Sequence, residues 1–358
     1  MPSRSRASVR IGELVRELDK AERARTDLHP DAGTQTKTHA IAEAGLSRTQ
    51  AYRYQELAGP REANLQSAGK AAAEKYFAKE ARDRRIFEMW LACYTNVEIG
   101  EHVGITEAAV RQIIEETADL PKLRSSEQAE ATHATDFDPP LYNVWKQQTR
   151  TPGSAHFGNS DSRWVDNLLY LYTQPFDVVV DPFAGGGSTI DVCRKRFRRY
   201  WVSDRKPIVE REKEIRAHDL TAGLPSLPRW KDVRLVYLDP PYWAQAAGAY
   251  SADPTDLANM ALAEFTDTLA AVINGFGAKL KGTGAVIAMI MQPTQWKAPE
   301  RQYTDHVADM IRAVKLPIDL RIQCPYESQQ CNAQMVEWAK ANRKILVLSR
   351  EIVVWRAV

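Results

Sequence analysis

"FDVVVDPFAGGGSTIDVCRKRFRRYWVSD", from Phe176 to Asp204, decides the fold. A β-branched apolar run, Val178 to Val180, ends on Asp181, and three glycines follow it. A helical stretch, "STIDVCRKRF", comes next, and a second apolar run, "YWV", ends on Asp204. Strand, tight turn, helix and strand in this order read as a βαβ unit. The strands are continuously apolar rather than alternating, so both faces of their sheet are expected to be covered. The same signals continue outward in "VRLVYLD", "TGAVIAMIM", "IDLRIQ" and "ILVLSREIVVW", with "LAEFTDTLAAVINGFGAKL" as an intervening helix. Residues 141–358 are therefore expected to form an α/β domain on a parallel sheet. Such sheets bind ligands at the carboxyl ends of their strands, near the point where strand order reverses.

The polar residues that follow the apolar runs describe the ligand. Three glycines between Ala184 and Ser188 allow a tight turn and close backbone approach, and a helix N-terminus then offers free N–H groups. A Walker A loop needs Lys before its Ser, where Gly187 stands, and the third glycine of a dinucleotide fingerprint is missing. What remains is a loop for a small ligand without pyrophosphate. Asp204, at the end of the second strand, is placed to accept both hydroxyls of a ribose. Asp219, in "AHDL", can accept from an adenine amino group. Further on, "VYLDPPYWAQAA" (Val236 to Ala247) ends a buried strand on a stiff corner. Asp239 is an acceptor, Pro240 has no N–H and leaves its carbonyl available, and Pro241 restricts how that carbonyl points. Two rigid acceptors suit an –NH₂ group, and Tyr242 offers a flat face for a base. The run Arg194 to Arg199 reads as a solvated helix end, with contact to phosphates as its alternative. Taken singly, Asp181 could be a helix cap, Asp204 a solvated strand-end acid, and Tyr242 and Trp243 core aromatics. Their joint spacing favours the functional reading.

"DPFAGGGST" and "DPPYW", in this order, resemble the amino-group DNA methyltransferases that use S-adenosyl-L-methionine. The resemblance covers nearly all of the chain after Leu141 and implies a Rossmann-like methyltransferase sheet. It implies that Phe183, Ala184, Gly185 and Gly187 line the methionine and adenosine of that cofactor, with Asp181 opening the motif. Asp204 would bind the ribose and Asp219 the adenine. Asn159 and Ser160, in the upstream stretch "HFGNSDSRWVDNLL", would hold the methionine carboxylate. Asp239, Pro240 and Tyr242 would form the catalytic corner, with Trp243 packing behind a flipped-out base. Aspartate rather than serine at position 239 leans toward adenine N6 over cytosine N4. No metal is required by this chemistry, and double-stranded DNA is the expected partner. A non-enzymatic DNA-binding regulator with a degenerate methylase domain is the alternative from another class.

The first half of the chain reads as small all-α helix-turn-helix domains at 1–60 and 61–123, followed by a linker at 124–140. In "THAIAEAGLSRTQAYRYQELA" Gly45 makes the turn and Ser47 caps the next helix; in "TNVEIGEHVGITEAAVRQIIEE" Thr95, Gly104 and Thr106 play these parts. Arg48, Gln50 and Arg53 on one second helix, and Arg111 on the other, are candidate readers of base edges. Glu115, Glu116 and Asp119 make the second unit acidic, which suits packing or a homodimer. Net charge is +2, so any DNA-binding surface must be local. The four cysteines form no metal-ligand spacing and suit a reducing cytoplasm. No signal peptide and no membrane span is expected.

Overall fold

The computed structural model describes residues 11, 12, 14, 15, 41, 42, 45–57, 63–146, 160–248, 251–297, 302–325 and 332–358. They belong to two compact units, Met1–Ile86 and Phe87–Val358. In the first, a turn leads into α1 (Arg48–Leu57). Gly45 sits at φ 69°, and the N–H groups of Gly45 and Leu46 reach back to the carbonyls of Ala42 and Ile41 at 2.9 and 3.0 Å. Ser47 and Gln50 then close a capping box: Gln50 N–H donates to Ser47 Oγ at 3.1 Å and Ser47 N–H to Gln50 Oε1 at 2.9 Å. Val15, Ile41 and Ala51 are buried together. The long helix α2 (Ala63–Leu91) contains the division between the units.

In the second unit, α3 (Asn96–Val103) and α4 (Glu107–Thr117) form a tight corner. Thr95 and Glu98 make a capping box, Gly104 is left-handed at φ 73°, and Thr106 accepts from the Ala109 N–H. Gly100 is required for a separate reason: a Cβ there would lie 2.7 Å from the Ile105 carbonyl oxygen.

The division at Ile86 and Phe87 differs from boundaries at 60 and 123, and the arginine run explains why. The segment read as a linker carries α5 (Ser125–Ala131), and Ala131 and His133 are buried. Arg196, fully buried, donates to both carboxylate oxygens of Asp166 at 2.7 Å. Its remaining nitrogen donates to Asp136 and the Glu130 carbonyl, each at 2.6 Å. Arg198, also buried, donates to the carbonyls of Ala131 and Thr173. Arg199 donates to the Trp90 carbonyl and lies 4.7 Å over its ring. Lys195 is exposed and Arg194 half-buried, as a solvated helix end would be, but Arg196, Arg198 and Arg199 of the same run form an internal fastener. Guanidinium groups tolerate burial only when their donors are used, and acceptors from residues 90–136 use them.

The remaining elements are α6 (Ser162–Tyr172), β1 (Val178–Asp181), α7 (Ser188–Lys195), β2 (Arg199–Asp204), β3 (Arg216–Ala217), β4 (Val233–Leu238), α8 (Leu262–Leu280), β5 (Val286–Met291), β6 (Thr294–Lys297), β7 (Gln302–Thr304), α9 (His306–Ala313), β8 (Ile318–Pro325), α10 (Ala333–Ala341) and β9 (Ser349–Arg356). Seven strands form one sheet in the order β3-β2-β1-β4-β5-β9-β8. The first five are parallel; β9 is antiparallel to β5, and β8 to β9. The antiparallel end departs from an all-parallel sheet. Its cause is visible in β8, an edge strand whose buried and exposed residues alternate as in one-sided antiparallel sheets. On one face, Val179, Leu235 and Tyr237 pack with Trp164 and Leu168 of α6 and Ile190 of α7. On the other, Val180, Val236 and Leu238 pack with Phe265, Leu269 and Phe276 of α8. Strand order reverses at β1, between β2 and β4, so β1 and β4 diverge where their carboxyl ends emerge.

Candidate active site

A cavity of about 690 Å³ opens at the carboxyl ends of β1, β2 and β4. The glycine loop after β1 forms its floor. Asp181, buried, shapes the loop by accepting from the Phe183 N–H at 3.0 Å and the Thr189 hydroxyl at 2.6 Å. Burial, reinforced by the nearby carboxylates of Asp239 and Asp204, pushes its carboxyl up to about 7, with those two hydrogen bonds opposing. Gly185 and Gly187 adopt φ 47° and 77°, which a side chain would strain. Ala184 N–H bonds to the Ser203 carbonyl at 2.9 Å and Gly185 N–H to Asp204 at 3.0 Å, tying the loop to the end of β2. Arg211 clasps the loop from outside, donating to the Gly187 carbonyl at 2.8 Å and pairing with Asp191.

The far wall comes from the segments after β2, β3 and β4. Asp204 also accepts the Lys206 N–H at 3.0 Å. Asp219 accepts from the N–H and hydroxyl of Thr221 and pairs with Arg205 at 3.0 Å. Partial burial raises its carboxyl, but these partners and His218 hold it below the ordinary range. Arg205 extends to Asp253 and Thr255, both at 2.7 Å, so the loop following β4 is latched across this wall. Neither arginine announced itself in the sequence, because each acts on acceptors far along the chain.

At the near end stands the Asp-Pro-Pro-Tyr corner. Asp239 and Ser160 line the same cavity as the glycine loop. Asp239 Oδ1 accepts from the Tyr242 hydroxyl at 2.9 Å, and Oδ2 accepts from the Ser160 hydroxyl. Ser160 in turn accepts from Arg350 at 2.8 Å, and the Arg350 guanidinium lies 5.3 Å from the Tyr242 ring centroid. Pro240 is buried behind this set. Trp243 holds a positive φ of 45°, a strained state for a bulky residue. Its indole donates to the Met260 carbonyl at 2.8 Å and meets His306 edge-on at 5.2 Å, and these contacts hold the strain. His306, buried beneath it, shares a 2.6 Å hydrogen bond with Thr294, and burial depresses its imidazole to about 4.

The structure thus brings Ser160, Asp181, Phe183, Ala184, Gly185, Asp204, Asp219 and Asp239 around one cavity, with Tyr242 bonded to Asp239. Asn159 lies outside the described residues, as does the side chain of Arg48. Arg53 and Arg111 are exposed on their helices, while Gln50 is engaged in its cap. Among the described residues, no group of three or more His, Cys, Asp or Glu could hold a metal ion, and no helix is long and apolar enough to cross a membrane.

The family described as DNA methylase, N6_N4_Mtase, matches residues 51–210, which include the glycine loop and Asp204. Over residues 51–210 the chain is similar to the amino-group DNA methylase family. The match ends before Asp239, so the methylase corner stands on its own geometry. No curated protein matches the chain. Among solved structures, the crystal structure of TrmN from Thermus thermophilus matches at 16% identity over 55% of this chain and 48% of that one, with a TM-score of 0.33. The chain spans about half the length of that neighbour.

Proposed function

We propose that this chain moves a methyl group from S-adenosylmethionine to the exocyclic amino group of a base in double-stranded DNA, adenine N6 in the first place. The observation that carries the reading is that one cavity contains both the glycine loop with Asp204 and the Asp239 corner. The residues suit that cofactor. The loop has no lysine in the phosphate-binding position, and seven acids against Arg205 and Lys206 line the cavity, a setting for a cation bearing hydroxyls rather than for a polyphosphate. The Tyr237 hydroxyl, on the same strand as the corner, is buried with no hydrogen-bond partner among the described residues.

In this reading Asp204 holds the ribose hydroxyls, Asp219 and Leu220 meet the adenine, and Phe183 and Gly185 follow the chain toward the methionine. When bound, S-adenosylmethionine supplies an electrophilic methyl group on a sulfonium, an already good leaving group. The target base must leave the duplex for its amine to reach the corner. Asp239 and the Pro240 carbonyl accept the two amine hydrogens, which leaves the nitrogen lone pair exposed. Each carboxylate oxygen offers two acceptor positions, so Asp239 can take the amine while keeping Tyr242 and Ser160. The N–C bond would form as the methyl–sulfur bond breaks, leaving a neutral thioether; the Asp239 charge balances the positive charge that grows on the nitrogen, and the surplus proton then leaves the acidified nitrogen for water. Tyr242 provides a surface for the base, and the exposed face of α1 provides Arg53 for DNA.

Transfer of tritiated methyl to mixed-sequence DNA tests the reading directly. Asp239→Ala should abolish transfer while cofactor affinity, by calorimetry, stays within a few fold. Sequencing that detects modified bases, on DNA from cells expressing the chain, distinguishes N6-methyladenine from N4-methylcytosine. Cofactor binding without any transferred methyl would favour a DNA-binding regulator instead.

A further inference from the structure

We propose that Arg350 is a positioning residue for the reaction, which fixes Asp239 as an aligned carboxylate through the hydroxyl of Ser160. The inference rests on the reading of Asp239 as the amine acceptor. Its basis is the direction of the hydrogen bonds. A guanidinium carries donors only, so Ser160 Oγ must accept from Arg350 at 2.8 Å. The single Ser160 proton is then left to point at Asp239 Oδ2. The Tyr242 hydroxyl donates to Oδ1 from the other side. Both oxygens of Asp239 therefore face donors, an arrangement that suits the ionised form and opposes a proton on either oxygen. An ionised, acceptor-only Asp239 is what an amine requires.

The surrounding charges make this arrangement necessary. From β1, Asp181 faces the corner and, through its repulsion with Asp239, works against a negative charge there; Asp204 stands beyond it at the end of β2. From β4 comes Tyr237, whose hydroxyl burial raises well above its ordinary range, and from the corner itself Tyr242. From β9 comes Arg350, held over the rings of Tyr242 and Trp164 at 5.3 and 5.8 Å. The neighbouring charged groups are otherwise engaged: Glu351 pairs with Arg321, and Asp161 with Arg163. Among the described residues, Arg350 is a cation that reaches Asp239 at one hydroxyl's remove. Its stacking on Tyr242 also holds the ring whose hydroxyl completes the set.

Carboxyl-¹³C NMR titration of the full chain labelled at aspartate tests this, with Asp239→Asn assigning the resonance; no substrate is needed. Arg350→Gln should raise the Asp239 midpoint by about one pH unit or more, and Ser160→Ala should do the same. The double variant should add little to either single change, because both break one relay. Arg350→Lys, which keeps a donor and a charge, should restore most of the wild-type midpoint. Folding is checked by circular dichroism, and Ser160→Ala breaks the same link if Arg350→Gln does not fold. In methyl transfer, Arg350→Gln should lower kcat about tenfold or more with cofactor affinity within about twofold, and the acid limb of the pH profile should move upward with the NMR midpoint. An Asp239 midpoint that stays put in both single variants overturns the proposal, whatever happens to the rate. A wild-type chain that methylates no DNA would instead overturn the functional reading, and the titration would still decide the role of Arg350.

Discussion

Replacing Asp181 by Asn should change how stability depends on pH, and the size of the change follows from the site. Burial and two neighbouring carboxylates push the Asp181 carboxyl up to about 7, while in the unfolded chain it titrates near 3.8. Between these values the folded protein binds a proton that the unfolded chain does not, so unfolding free energy falls as pH rises through the window. The full interval corresponds to about 4 kcal/mol, and between pH 5 and pH 8 the wild type should lose about 3 kcal/mol that the Asn variant does not. Urea unfolding at half-unit intervals, monitored by circular dichroism, measures both curves. Only their difference in slope matters, because Asn also disturbs the bonds from Thr189 and Phe183 and shifts the whole curve by a constant. Parallel curves across this range would mean that Asp181 is ionised throughout, and that the crowding of three carboxylates around the cavity is relieved in some other way. A corollary concerns the ligand. A cation entering beside Asp181 favours its ionised form, so cofactor binding near pH 6 should release a proton, detectable by calorimetry in buffers of different ionisation enthalpy.

His306 acts with the opposite sign. Burial holds its imidazole down at about 4, so its contribution is present above pH 6.5 and is lost as pH falls toward 4; His306→Gln should be flatter there, by up to about 3 kcal/mol in urea unfolding. Arg196→Met removes a bidentate partner from Asp166 and should cost about 3–5 kcal/mol, read as a fall in Tm of roughly 6–20 °C by calorimetry. Adding Asp166→Leu to that variant should recover part of the loss, because the stranded carboxylate goes with it.

The parts of the molecule legible in the sequence are those whose signal is local. The βαβ unit from Phe176 to Asp204 could be read because apolar runs, glycines and strand-end acids lie next to one another, and α8 could be read because its apolar face repeats along its own length. Gly104 and Thr106 were readable as a turn and cap for the same reason. What escaped depends on partners distant in the chain. Ser160 and Arg350 are 190 positions apart, and nothing near either one marks the other. The arginine run looked like solvent-facing charge because its acceptors are distant carboxylates, Asp136 and Asp166, and main-chain carbonyls, which carry no sequence signature. The antiparallel end of the sheet was hidden because "IVVW" in β9 is as continuously apolar as a parallel strand, being flanked on both sides by β5 and β8.

The buried arginines set where this protein can be cut. A fragment beginning at Leu141, where the methyltransferase signature starts, would leave Arg196, Arg198, Arg199 and Arg216 inside a shell from which the carbonyls of Glu130, Ala131, Trp90 and Ala92 had been taken away. Cations deprived of their acceptors cannot stay buried, so such a fragment would have to loosen around β2 and its neighbouring turns, beside the very loop that receives the ligand. The shortest piece that keeps those guanidinium groups satisfied starts no later than Phe87, and subcloning or domain grafting should treat everything from there onward as indivisible.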